Sequence, residues 1–206
     1  MQQLTAQTTP PFRADINAFK TKDSLQAPPK EPILLIGSSS FTKWTDVQDY
    51  FPGYPILNRG FGSSALPDLI RYVDEIVFPY DPKQIIIYCG ENDIAASDTI
   101  TAQIVLQRFE QLFFLIRNKL KKVPVDFISI KPSPSRWKME PVFVESNKLI
   151  KQFLSKQPNT KFIDVHTAML NADGSVKEEI FLADKLHMNP KGYAIWQKIL
   201  LPELVK

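Results

Sequence analysis

The stretch "ILLIGSSSFTKW", residues 33–44, runs four apolar residues into one glycine and then into three consecutive serines. A short, unbroken apolar run closed by glycine reads as a strand buried on both faces, because a strand with one wet face would alternate. The residues after the serines start a helical pattern that reaches about residue 50. The same unit recurs outward from this stretch. With "PILLIG" (32–37) as the first, short β-rich runs follow at "PILN" (55–58), "QIIIYCG" (84–90), "VDFISI" (125–130) and "KFIDV" (161–165). Helical patterns lie near 41–50, 66–77, 101–121, 140–155 and 190–203. Apolar strands alternating with helices predict an α/β domain, a doubly wound five-stranded parallel sheet with a helical layer on each face. No internal repeat or low-complexity segment interrupts it.

The chain has 206 residues, enough for one domain with an ordinary core. Residues 1–30 are polar and proline-marked, with Phe12, Ile16 and Phe19 at helical spacing. They read as an N-terminal extension, a short helix that braces the domain of residues 31–206 through the "APPKEP" linker. The first residues show neither a basic nor an apolar leader region. "LTAQ" (4–7) fits the tail of a cleaved export signal, and localisation stays open. The net charge of +3 is small. Its one basic cluster, Arg117, Lys119, Lys121 and Lys122, ends an amphipathic run, where cations suit a helix C-terminus. No aromatic or Gly-rich recognition element accompanies it, so no nucleic-acid partner is expected. No stretch approaches the ~20 apolar residues of a membrane span. The single cysteine, Cys89, excludes an intramolecular disulfide and reads as a buried, inert thiol.

In doubly wound sheets, sites form at the carboxyl ends of the strands. "GSSS" (37–40), "NRGFGSS" (58–64), "GEND" (90–93) and "DVH" (164–166) all fall there, and "DKLH" (184–187) precedes the last helix. Acyl transfer by a serine needs a nucleophile, a base, a group that orients the base, and donors for the oxyanion. The three serines supply the first, but the residues alone do not say which; Ser40 also suits a helix N-cap. Asn92 offers an NH₂ donor that does not titrate. Asp184 and His187, three apart, fall on one side of a helical turn, where the carboxylate can fix the imidazole tautomer. "NRGFGSS" lets a backbone approach a ligand but lacks the spacing of a phosphate loop, so no nucleotide cofactor is expected, and no metal site. Trp44, Phe61 and Trp137 are candidates to line a sugar or lipid headgroup. In "KPSPSRW" (131–137), Lys131 and Arg136 are candidates to meet an anionic substrate.

Taken together, these blocks resemble the SGNH (GDSL-like) hydrolase family over most of residues 31–205. "IGSSS" is similar to the family's first block, usually Gly-Asp-Ser, with Gly37 on the glycine, Ser38 on the aspartate and Ser39 on the nucleophile. "NRGFGSS" resembles the second block, "GEND" the third and "DKLH" the fifth. The resemblance implies a flavodoxin-like three-layer fold and a Ser39–His187–Asp184 triad. It implies an oxyanion hole built from Ser39, Ser63 and Asn92. Two departures stand out: Ser38 replaces the usual aspartate, and Ser63 falls where the second block has glycine. The implied activity is hydrolysis of short-chain, mainly acetyl, esters of carbohydrates or lipids, without a cofactor. The α/β-hydrolase elbow Gly-x-Ser-x-Gly is excluded, since Phe41 stands at its last glycine. The non-enzymatic alternative is a carbohydrate- or lipid-binding module on the same scaffold. Oligomeric state is not legible.

Overall fold

The sheet runs in the order β2-β1-β3-β4-β5, all parallel, in a computed structural model that describes residues 9–206. The "LTAQ" reading lies outside the described residues. The strands are β1 (Ile33–Gly37), β2 (Ile56–Gly60), β3 (Gln84–Tyr88), β4 (Val125–Ile128) and β5 (Thr160–Ile163). The helices are α1 (Arg13–Leu25), α2 (Ser39–Thr42), α3 (Val47–Tyr50), α4 (Leu66–Ile76), α5 (Glu91–Ala95), α6 (Ala102–Lys119), α7 (Glu140–Leu154) and α8 (Pro190–Leu200). The expected helix over 41–50 is two short helices, broken at Lys43–Asp46, and α5 lies just after the third apolar run, where the sequence pattern gave no helix.

The two-residue period of the strands sorts their apolar side chains into two cores. Leu34, Ile36, Ile85, Ile87, Val125 and Phe127 pack with the buried faces of α4, α6 and α7. Ile33, Leu35, Ile86, Tyr88, Ile128 and Ile163 pack on the other side, with Phe41, Trp44, Tyr193 and Trp196 from α2 to α8. Both faces are therefore covered, which is why these strands read as continuous apolar runs. Trp44 stacks on Tyr193 with ring centroids 4.7 Å apart. The basic cluster at the end of α6 caps it: Arg117 donates to the carbonyls of Leu120, Lys121 and Val123 and, across to the next connection, of Pro158 and Asn159. Helix α1 is held by charge as well as by Ile16. Arg59, 2% exposed on β2, pairs with Asp23 and donates its Nε–H to the Tyr80 hydroxyl at 2.8 Å.

Register decides where a site can form. Gly37 sits level with Gly60 on one side and Tyr88 on the other, so β1, β2 and β3 end together. A Cβ on Gly37 would lie 2.0 Å from the Tyr88 carbonyl oxygen, so no other residue fits at this strand end. The chain leaves β1 toward one neighbour and β3 lies on its other side. That reversal is the topological switch point at which open α/β sheets hold ligands.

Beneath the sheet's interior, Asp126 on β4 is 1% exposed. Its Oδ2 accepts from Gln84 Nε2 at 2.7 Å, while Oδ1 has no partner. Burial pushes this carboxyl up to about 6. The folded protein therefore holds the Asp126 proton more tightly than the unfolded chain does. The resulting stabilisation is complete below pH ~4 and is lost as pH rises to ~6. Asp126→Asn removes that titration. Its Tm relative to wild type should rise by a few degrees between pH 4 and pH 7, from a linkage of ~2–3 kcal/mol. A difference that does not change with pH, read by thermal unfolding, would show that Asp126 is ionised throughout.

Candidate active site

The three serines have different environments. Ser38 occupies the N-cap position of α2 and Ser40 its second residue, and they are 3% and 2% exposed. Ser39, first in α2, is half-buried. Its Oγ lies 3.0 Å from His187 Nε2. The other ring nitrogen, Nδ1, lies 2.6 Å from Asp184 Oδ2. A carboxylate only accepts, so Nδ1 carries the proton and donates to Asp184. Nε2 of the neutral ring is then an acceptor for the Ser39 hydroxyl. The chain of polar atoms runs from carboxylate through imidazole to hydroxyl without a gap.

The loop that carries this pair is built locally. Phe181 and Met188 form an antiparallel bridge, and the Leu182 N–H donates to the His187 carbonyl at 2.8 Å. Asn189 caps α8 by accepting from the N–H groups of Lys191 and Gly192, and its amide donates to the carbonyls of Glu179 and Phe181. Asp184 and His187 do not lie on a helical turn, as their spacing suggested. Lys185 between them has φ 53, the left-handed region, and reverses the chain. Asp184 Oδ1 accepts from the N–H groups of Leu186 and His187 at 3.0 and 2.9 Å. Burial opposes ionisation of this carboxyl, but the His187 side chain and these two N–H groups hold it well below the usual carboxylate range.

The second and third blocks meet across the switch point. Asn92, on α5, donates one Nδ2–H to the Ser64 carbonyl at 3.0 Å and has a second N–H to spare. Gly90, with φ 119, makes the turn from β3 into α5, and an added Cβ would meet Ile130 at 2.9 Å. Ser63 is exposed and has φ 64. A glycine takes that conformation freely and a serine only at a cost, so the replacement keeps the backbone course and stores some strain. The Ser39 N–H opens a helical turn, where amide groups have no intrahelical acceptor. Asp93 joins the blocks from behind: its Oδ2 accepts from the Leu66 N–H at 2.9 Å and its Oδ1 from Arg108 at 2.7 Å.

The GDSL-like Lipase/Acylhydrolase family model matches residues 33–195, most of the chain. The chain belongs to this family. Among curated proteins no sequence matches. Solved structures agree in fold. A Streptococcus pneumonia protein named after platelet activating factor superposes with TM-score 0.80 at 20% identity, over 93% of this chain and 92% of its own. A GDSL-like lipase from Bacteroides thetaiotaomicron gives TM-score 0.74 at 18% identity, covering 92% and 97%. A catalytic mutant of an acetylxylan esterase from Geobacillus stearothermophilus gives 0.67 at 16%, covering 86% and 95%.

Within this GDSL-like scaffold several sequence expectations need correction. Trp44 and Phe61 are 0% and 1% exposed and belong to the two cores, so neither offers an open ring face to a sugar or lipid headgroup. Trp137 is 41% exposed. Lys131 does not meet solvent at all. It is 1% exposed, lies 3.2 Å from Glu91 and donates to the Leu186 carbonyl at 2.9 Å, next to His187. Burial lowers its affinity for a proton, and Glu91 opposes that shift. Arg136 likewise turns inward. Sequence reasoning misses Glu91, because a carboxylate beside Asn92 reads as turn chemistry; the available signal is a strand end followed by three polar residues, which the fold buries or half-buries. Asp164 and His166 of the "DVH" block, two residues apart, do not pair with each other. Asp164 accepts from Thr167, whereas His166 Nε2 pairs with Glu140 at the start of α7. Cys89 is buried and its thiol is pushed up by burial.

Proposed function

We propose that this protein is a serine esterase of short acyl esters, with Ser39 as nucleophile, His187 as general base and acid, and Asp184 as the group that holds the imidazole. The supporting observation is the unbroken Asp184–His187–Ser39 hydrogen-bonded chain at the end of β1. As Ser39 Oγ attacks the ester carbonyl, its proton passes to His187 Nε2, and Asp184 stabilises the imidazolium. The carbonyl oxygen becomes an oxyanion, received by the N–H groups of Ser39 and Ser63 and the free N–H of Asn92. Collapse breaks the bond to the leaving alcohol, which takes the proton from His187. Water, deprotonated by the same imidazole, then releases the acid and restores Ser39.

The connections that follow β1 and β3 contain only Ser38, and only Cys89 and Gly90, so neither inserts a lid over Ser39. That favours a small acyl group, acetyl first. The alcohol side favours a carbohydrate. Pro134, Trp137, Asn171, Glu178 and Glu179 line a hollow of about 550 Å³. An exposed indole in one hollow with amide and carboxylate acceptors is chemistry suited to a sugar ring. The Ser135 N–H donates to the Lys185 carbonyl, which ties this rim to the loop carrying His187. The acetylxylan esterase from Geobacillus stearothermophilus carries the same fold.

A series of p-nitrophenyl esters tests the acyl preference. kcat/KM should fall on the order of 10-fold or more from acetate to octanoate, the scale on which pockets discriminate aliphatic length. Acetylated xylo-oligosaccharides compared with short-chain phospholipids test the alcohol side. Preference for octanoate, or turnover of the phospholipids alone, would replace the acetyl-carbohydrate reading with a lipolytic one.

A further inference from the structure

The oxyanion hole described above depends on the orientation of one amide. Asn92 can point either its NH₂ or its carbonyl toward Ser39, and only the first can receive an oxyanion. Both terminal nitrogens of Arg136 answer this, since each donates to Asn92 Oδ1 at 3.0 Å. An oxygen held by two guanidinium N–H groups cannot exchange places with the NH₂ group, which would face cation with donor. Arg136 is itself anchored. Its NH1 lies 3.2 Å from Glu91 Oε1. Glu91 is 5% exposed on its side chain, accepts the Tyr88 hydroxyl at 2.8 Å and lies 3.2 Å from Lys131 Nζ. One carboxylate thus faces two cations, which leaves a net positive charge behind the amide.

We propose that Arg136, anchored by the Glu91–Lys131 pair, is a positioning residue for the oxyanion hole that fixes the Asn92 amide with its NH₂ toward Ser39 and polarises it as a donor. The inference rests on the serine-esterase reading for its catalytic consequence, but not for the amide orientation. A guanidinium on Oδ1 withdraws charge from the amide, so the remaining Nδ2–H binds a developing anion more strongly, as linked hydrogen bonds reinforce one another. Arg136 never touches the substrate in this scheme. Its terminal nitrogens donate to Asn92, and NH1 also faces Glu91, so the guanidinium is directed toward the amide and its side chain is only 19% exposed.

The test combines Arg136→Met, Arg136→Lys and Asn92→Ala with two readouts. The first is independent of turnover: the side-chain ¹⁵N–¹H₂ resonances of Asn92, assigned by their loss in Asn92→Ala. They should move toward free-amide positions in Arg136→Met and to an intermediate position in Arg136→Lys. The second is p-nitrophenyl acetate hydrolysis. Arg136→Met should lower kcat about 10- to 100-fold, part of the ~10²- to 10³-fold expected for loss of the donor itself in Asn92→Ala. KM should change less than about 2-fold, because the lost interaction forms in the transition state. Arg136→Lys should recover part of kcat. In the Asn92→Ala background, Arg136→Met should cost less than about 3-fold more, since residues acting as one unit are not additive. Full additivity, unchanged Asn92 resonances, or a loss confined to KM would overturn the proposal. If Ser39→Ala retains wild-type turnover, the esterase reading fails, and the Asn92 resonances still decide whether Arg136 holds the amide.

Discussion

Ser39→Ala should lose on the order of 10³-fold or more of ester turnover, while Ser38→Ala and Ser40→Ala retain measurable activity. Three adjacent hydroxyls with one intrinsic chemistry are separated here by backbone geometry alone. Ser38 and Ser40 are buried at opposite ends of a half turn. Ser40 contributes its carbonyl to the structure, as acceptor of the Tyr193 hydroxyl at 2.8 Å. Ser39 alone has its Oγ within 3.0 Å of an imidazole nitrogen free to accept a proton. In the proposed reaction, removing that oxygen removes the acyl-enzyme route and leaves only the catalysis that an oxyanion hole and binding would supply. Hydrolysis of p-nitrophenyl acetate by the three variants measures this directly. An organophosphonate followed by mass spectrometry should label Ser39. A label on Ser38 or Ser40 would move the nucleophile and with it the whole alignment of the first block.

The architecture was legible because burial on both faces leaves a mark that needs no tertiary knowledge. "PILLIG" and "QIIIYCG" carry no alternation, and only a covered parallel sheet tolerates that. The fifth strand differs from these: β5 carries Lys161, is only partly buried and closes the order at the edge of the sheet. What failed were local details set by single residues. The break between α2 and α3 falls at Lys43–Asp46, where Trp44 turns into the core against Tyr193, so packing overrode a helical period. Lys185 in a left-handed turn was invisible to a rule based on three-residue spacing.

The site was less legible than the fold for a related reason. A motif names residues by type, and the type does not say which way a long side chain lies. Lys131 and Arg136 come from a proline-rich loop after a strand end, which in sequence describes a cleft rim. In the folded chain both guanidinium and ammonium turn toward Glu91, because a carboxylate that is 4% exposed needs partners. The "GEND" block therefore does more than present Asn92. Glu91 collects the cations, Asn92 reaches Ser64, and Asp93 secures the start of α4. Each neighbour in that tetrapeptide fixes a different loop around Ser39.

The two histidines provide the second large contrast. His187→Ala should nearly abolish turnover and leave the protein folded, whereas His166→Ala should keep its turnover and lose stability. Both rings meet a carboxylate, so the presence of an acidic partner does not separate them. The remaining nitrogen does. In His187 one nitrogen is taken by Asp184 and the other faces the Ser39 hydroxyl. In His166 the paired nitrogen is Nε2, and its partner Glu140 opens α7. The backbone around His166 is equally structural: the N–H groups of Val165 and His166 both donate to Ser129 Oγ at 3.0 Å. His166 thus joins the end of β5 to α7 on the edge of the sheet, while the switch point lies between β1 and β3. Removing its ring leaves Glu140, 12% exposed on its side chain, without a partner at a cost of about 1–3 kcal/mol. Thermal unfolding should then move down by several degrees. Asp184→Asn should impair turnover less than His187→Ala does, since an amide can donate to Nδ1 and favour the wrong tautomer but leaves the ring in place. Circular dichroism and p-nitrophenyl acetate hydrolysis on the same preparations separate the two histidines. A folded, inactive His166→Ala beside a His187→Ala that still turns over would assign the base to the wrong end of the sheet, and the Ser39–His187–Asp184 chain would be a structural contact.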